Sequence, residues 1–120
     1  MQPTILTYNL STKQFQLELL CANFQVHIRN ILPTVQSFVI KSVLENRLIQ
    51  KNTDNHIFTD EMVVFCNFDD TLLDLFLQQL RNLNLRIPLK AVLTPTNYLW
   101  NSIELHKELS KEYNVLNERK

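Results

Sequence analysis

Met62-Val63-Val64-Phe65-Cys66 places five apolar residues in a row, four of them β-branched, aromatic or thiol-bearing. A strand with one wet face alternates apolar and polar residues, whereas an unbroken apolar run of this length fits a strand covered on both faces. This run is the expected centre of a sheet with helices on either side. Downstream, Asp69 or Asp70 can cap a helix whose stripe is Leu72, Leu75, Phe76, Leu80 and Leu83, and Asn84 follows it as a left-handed terminator. Leu89-Lys90-Ala91-Val92-Leu93 is a further strand, broken by Thr94-Pro95-Thr96-Asn97. Asn101 with Glu104 forms a capping box, Trp100 and Leu105 its hydrophobic staple, and a last helix begins near Ser102 with Leu105, Leu109, Tyr113 and Leu116 on its apolar side.

Upstream, Ile5 to Tyr8 is a β-prone run ending at Asn9. Ser11 or Thr12 then caps a helix with Phe15, Leu19 and Ala22 on its inner face, closed by Asn23. Val26-His27-Ile28 is a short edge strand. Pro33 opens a helix with the stripe Val35, Phe38, Val39, Val43 and Ile49, which fades into a polar, flexible connector around residues 51–60.

The order β-α-β-α-β-α-β-α shows no tight hairpin signal, so all strands are expected to run one way. The fold class that follows is α/β: one domain over residues 1–120, a four-stranded mostly parallel sheet in order 2-1-3-4, with helices on both faces. A ferredoxin-like α+β sandwich is the alternative, if the second and third strands pair antiparallel across the connector. No internal sequence repeat is legible.

Composition narrows function by exclusion. Twelve Lys+Arg balance twelve Asp+Glu, so no uniform positive field collects nucleic acid or anionic lipid. No apolar run approaches the roughly 18 residues that span a bilayer, and the chain reads as soluble and cytoplasmic. It has no glycine, which rules out GxGxxG, GxxxxGK[ST] and GxSxG loops; thirteen Asn are available for turns that need positive φ. Cys21 and Cys66 sit in apolar stretches, as buried reduced thiols do.

Pro88-Leu89-Lys90-Ala91-Val92-Leu93-Thr94-Pro95-Thr96-Asn97, followed by Trp100, Glu104-Leu105, Glu108-Leu109 and Glu112, resembles a bacterial family of short proteins, domain of unknown function 3783. The resemblance is specific from Pro88 to Glu112, weaker from Met62 to Arg81, and topological before that. The family pattern places Gly where this chain has Asn23, Asn67 and Asn84. The resemblance implies no activity.

Ligands of parallel α/β sheets sit beyond the carboxyl ends of the strands. On a one-way sheet that rim gathers Asn9, Ser11, Asn67, Phe68, Asp69, Thr94, Thr96, Asn97 and Trp100. Asn9, Asn67, Asp69, Thr94, Thr96, Asn97 and Trp100 are the candidates for binding a small polar ligand or a partner's backbone. Turn chemistry is the competing account of the same residues. Leu73 and Leu77 widen the third-helix stripe and are candidates for an interface, with a protein partner or a homodimer across it, unless they pack on a neighbouring helix.

No catalytic residue, metal or cofactor is nominated. His27, His56 and His106 lack partners at ligand spacing, Asn9 and Asn67 stand where a phosphoacceptor site needs carboxylates, and Lys90 is expected to reach solvent along its stem. The reading is a non-catalytic binding or regulatory module, with a ligand-sensing domain or small enzyme at the strand-end cluster as the alternative.

Overall fold

The computed structural model describes residues 2–51 and 56–118, with side chains through residue 112. Its sheet has the order expected, β2-β1-β3-β4, from β1 (Thr4–Tyr8), β2 (His27–Asn30), β3 (Met62–Cys66) and β4 (Leu89–Val92). The central run of β3 is buried along its whole length. Val63 and Phe65 join Ile5 beneath α1 (Lys13–Asn23) and α3 (Asp70–Asn82). Met62, Val64 and Cys66 join Leu6 and Tyr8 on the opposite face, against α2 (Ile40–Leu44) and α4 (Ser102–Glu118).

The sheet is mostly parallel, as expected, but its strands do not all run one way. β1 pairs parallel with β2 and β3 with β4, but β1 and β3 run antiparallel. The connection from β2 to β3 contains α2 and a long irregular stretch, so it is not a simple crossover and carries no directional constraint of the kind that ties β1 to β2. The antiparallel pair joins the first and third strands, which is also not the ferredoxin-like arrangement.

Two local expectations are corrected. First, α1 buries Leu17, Leu20 and Cys21, while Phe15 is 66% and Leu19 54% exposed and Ala22 also faces out. Apolar residues lie on both sides of this helix, so spacing alone admits two inner faces. Thr12 makes no side-chain cap, and the left-handed residue is Gln25 rather than Asn23. Second, the helix expected from Pro33 to Ile49 is a 3₁₀ turn at Pro33–Val35 followed by only five residues of α2. Val39 is extended and bridges Asn101, and the Ser42 hydroxyl accepts from Ile49 N at 3.0 Å, folding the chain back where a longer helix would continue. Within the expected connector Phe58 is buried, while residues 52–55 lie outside the described residues.

Other local readings match. Asp69 Oδ1 accepts from Leu72 N at 2.7 Å, and Asn101 and Glu104 cap each other reciprocally at 2.8 and 3.0 Å. Asn9, Asn46, Asn67 and Asn84 hold positive φ in a chain without glycine. Leu109 packs against the core; Tyr113 and Leu116 lie outside the described side chains.

The antiparallel pair reveals an internal repeat that the sequence conceals. Leu6 faces Val64 at the middle of the β1–β3 ladder, Thr4 faces Cys66 and Tyr8 faces Met62, so half a turn about an axis through the middle exchanges the strands. The same rotation maps β1-α1-β2-α2 onto β3-α3-β4 and the start of α4. Both helix ends close alike: Val26 N donates to Cys21 O beside Gln25 at φ 56°, and Leu85 N donates to Leu80 O beside Asn84 at φ 53°, each bond 2.9 Å. Beyond the outer strands, Ile31-Leu32 leads into the 3₁₀ turn at Pro33–Val35 and Leu93-Thr94-Pro95-Thr96 into a second at Asn97–Leu99, and Ile31 N to Thr7 O matches Leu93 N to Phe65 O.

Candidate functional site

Because β1 and β3 run in opposite directions, the expected single rim becomes two, one at each end of the sheet. Asn9 and Ser11 lie at the carboxyl end of β1. Asn67, Asp69, Thr94, Thr96 and Asn97 lie at the carboxyl ends of β3 and β4. Under the rotation Asn9 corresponds to Asn67, Ile31 to Leu93 and Leu44 to His106, and the bonds Ile40 N to Trp100 O and Ser102 N to Gln36 O exchange, which pairs Gln36 with Trp100.

The Asn67 end holds a cavity of about 590 Å³ lined by Gln2, Thr4, His27, Leu44, Asn67, Leu93, Thr94, Pro95 and Tyr98. Leu44, Leu93, Pro95 and the Tyr98 ring make apolar walls; the polar groups are amides, hydroxyls and the His27 imidazole. The His27 ring is hydrogen-bonded to Gln2 Oε1, and the Lys41 ammonium stands 5.7 Å from the Tyr98 ring centre. Of the residues nominated from sequence, Asn67 and Thr94 line this cavity.

The others have structural duties. Asn97 braces the loop: its Oδ1 accepts from Thr94 N at 2.7 Å, its Nδ2 donates to Val92 O, and its own N donates to Thr94 Oγ1. Asp69 caps α3, Thr96 is exposed, and Trp100 is half-buried against the core. Leu73 and Leu77 are half-buried against the cluster beneath α1 and α3, so packing accounts for much of the stripe. Leu77 also edges a groove of about 620 Å³ between α3 and β4, where Arg81, Arg86 and Lys90 stand around Leu80, Leu85 and Ile87. Lys90 is exposed and donates to Ile87 O at 2.8 Å.

At the Asn9 end the corresponding space is filled. Phe58, 6% exposed, stacks on His106 with centroids 4.1 Å apart and leans on Tyr8 at 5.4 Å. Its backbone is held by side-chain amides. Gln36 Nε2 donates to Phe58 O at 3.2 Å, Phe58 N donates to Gln36 Oε1 at 3.1 Å, and Asn9 Nδ2 donates to the carbonyls of Phe58 and Asp60 at 3.1 and 3.0 Å. A hollow of about 240 Å³ remains beside Asn9, Ser11 and Pro33. Sequence reading missed Phe58, Gln36 and His106 as a unit. The available signal was the pair Ile57-Phe58 in an otherwise polar connector.

His106 also meets Asp60 Oδ2 at 2.8 Å and Ser110 Oγ at 3.3 Å. Both contacts use Nε2. A Ser-His-Asp relay needs the acid and the hydroxyl on opposite ring nitrogens, so these three residues do not form one. Burial pushes the Cys66 thiol up to about 12, and burial with the nearby Glu18 charge does the same to Cys21; neither is a thiolate nucleophile at neutral pH. The Tyr8 hydroxyl, 2.7 Å from Ser102 Oγ, is likewise raised by burial. Among the described residues, no three His, Cys, Asp or Glu side chains group as metal ligands, and no helix is long and apolar enough to cross a membrane.

The raised thiols set an alkaline limit. A group that holds its proton more tightly folded than unfolded gives stability present in full below its unfolded value of about 8.5 and lost as pH rises through its folded value. Urea melts are expected to show constant stability near neutrality and a decline between about pH 9 and 12, mostly retained when both cysteines are neutral at pH 7. Cys21→Ala with Cys66→Ala should flatten that decline between about pH 9 and 10, below the range where the raised Tyr8 hydroxyl adds its own, and a decline of unchanged slope there in the double variant would assign it elsewhere.

No curated protein and no solved structure matches the chain. One family does, and the matched residues, 61–116, start one position before β3 and end in α4, covering the second of the two related halves. Residues 61–116 of this chain match the model of the family described as Domain of unknown function (DUF3783).

Proposed function

We propose that the chain is a non-catalytic binding module whose site is the cavity at the carboxyl ends of β3 and β4. The observation that carries this reading is the lining. About 590 Å³ of space meets apolar walls from Leu44, Leu93, Pro95 and Tyr98 and a few polar groups from Thr4, His27, Asn67 and Thr94. Sites for small ligands and peptide side chains have this size and this mixture. The chemistry-bearing side chains are engaged elsewhere: both thiols are protonated in the core, and His106 shares one nitrogen between Asp60 and Ser110. The cavity carries no carboxylate or ammonium on its lining, so it favours a ligand without net charge at the point of contact.

A thermal-shift screen of neutral metabolites and short peptides tests this. A ligand selective for the folded state at 100 times its Kd adds about 2.7 kcal/mol, a rise of several degrees in Tm. That rise is expected to disappear in Tyr98→Ala, which removes one half-exposed wall. Shifts that persist unchanged in Tyr98→Ala and Leu44→Ala would place binding outside the cavity and end the proposal.

A further inference from the structure

We infer that the groove between α3 and the amino end of β4 is a second binding site, for a small amphiphile with a carboxylate or phosphate head and an apolar body. It lies apart from the cavity at the carboxyl ends of β3 and β4 and shares no lining residue with it.

The groove holds about 620 Å³, a size common among small-ligand sites. Its apolar side is made by Leu77, Leu80, Leu85 and Ile87. Its polar side carries cations from three separate elements: Arg81 from α3, Arg86 from the loop that follows, and Lys90 from β4. No lining residue is acidic. All three cations are exposed, and none meets a carboxylate among the described residues. Glu61, the acid tied to this loop, is taken by Lys13, whose ammonium reaches Glu61 Oε1 at 2.8 Å and Arg86 O at 2.6 Å. Three cations without carboxylate partners around an apolar floor complement an anionic head joined to an apolar body. Guanidinium forks suit oxoanions because they can donate two parallel N–H bonds to one head group.

The internal repeat shows that the fold itself does not need these features. The bonds from Val26 N to Cys21 O and from Leu85 N to Leu80 O end the two helices at equivalent points. His27 opposite Thr4 and Leu89 opposite Met62 then begin the two outer strands. In the first half Val26 runs directly into His27, whereas Arg86-Ile87-Pro88 intervene in the second. Glu18, Ala22 and Ile28 stand in the places of Leu77, Arg81 and Lys90, so the first half closes the same junction with no Lys or Arg at those places. The extra residues and the three cations belong to one half alone.

The added loop is also held in place. Ile87 is 2% exposed and anchors it in the core beneath α3, and Lys13 holds the Arg86 carbonyl. The Lys90 ammonium donates to Ile87 O at 2.8 Å, with two of its three protons left for a ligand. A loop already fixed loses little freedom when a ligand binds.

The test uses the full-length chain, isotopically labelled, titrated with hexanoate and with hexyl phosphate. At least one is expected to shift Leu77, Arg81, Ile87 and Lys90 saturably, and the tighter of the two identifies the head group. Hexanol, which lacks the charge, should bind at least tenfold more weakly, as should acetate and inorganic phosphate, which lack the apolar body. Arg81→Glu with Arg86→Glu changes two exposed side chains and, shown to be folded by circular dichroism, should lose at least tenfold in affinity for the hexyl anion. Hexanol binding as tightly as the anions would reduce the groove to an apolar hollow and overturn the inference. So would acetate or inorganic phosphate binding as tightly as the hexyl compounds, or unchanged affinity in the charge-reversed variant. Shifts confined to Leu44, Leu93 and Tyr98, or no saturable shift at tens of millimolar, would also overturn it.

Discussion

Phe58→Ala is expected to destabilise the protein by about 3–5 kcal/mol, the usual range for removing a buried phenylalanine ring, with a fall in Tm of roughly 10–20 °C. Phe58 is 6% exposed and wedged between Tyr8 and the face of His106, so its loss leaves a cavity with apolar walls rather than a surface that can collapse. Urea denaturation measures the loss. A second readout separates cavity formation from general damage: an apolar hollow of ring size stays dry and binds small aromatic molecules, so toluene or indole should restore part of the lost Tm in Phe58→Ala and do much less in the parent. A loss below about 1 kcal/mol would mean that the segment carrying Phe58 contributes little to the folded core.

Gln36→Leu carries the second large effect. Gln36 is fully buried, and its carboxamide both accepts from and donates to the backbone of Phe58, a two-bond pairing like that of a short strand. Leucine fills a similar volume but leaves the Phe58 N–H and one bond of its C=O unmet. At about 1–3 kcal/mol for each buried unpaired group, the expected cost is about 2–4 kcal/mol, lessened at the carbonyl because Asn9 also donates to it. Hydrogen exchange adds a directional check, since the Phe58 amide should lose protection more than the amides of β3. Uniform loss across the sheet, with Phe58 no worse than its neighbours, would contradict the pairing argument.

These two residues also mark where sequence reasoning stops. Five adjacent apolar residues placed β3 at the centre because burial on both faces leaves no position for a polar side chain. The cap of α3, the Asn101–Glu104 box and the sheet order were legible for similar local reasons. The direction of β3 relative to β1 was not, because the long stretch between β2 and β3 can deliver the chain to either end of the sheet. The inner face of α1 was misread because Phe15 and Leu19 offer as good a stripe as Leu17 and Cys21, and only docking against Ile5 and Phe65 selects between them.

The candidate site suffered most from the direction error. Asn67 and Thr94 do share a cavity, but Asn9 belongs to its counterpart across the sheet, and Asn97 and Asp69 satisfy backbone groups nearby. The repeat left faint traces in the sequence: Pro33-Thr34 against Pro95-Thr96 and Asn9 against Asn67. Side chains diverge freely where only volume matters, whereas positions that set a left-handed backbone or end a strand tolerate few residue types.

The antiparallel junction of β1 and β3 has a consequence for any shorter polypeptide holding a single copy of the β-α-β-α half. Severed from its sibling, such a unit would bare the inner ladder of its first strand, and two identical units could zip those edges together about the same axis. The covalent link between the halves removes that dependence on concentration, and it also lets the two ends of the sheet evolve apart, one of them sealed by Phe58 in the stretch that leads into β3.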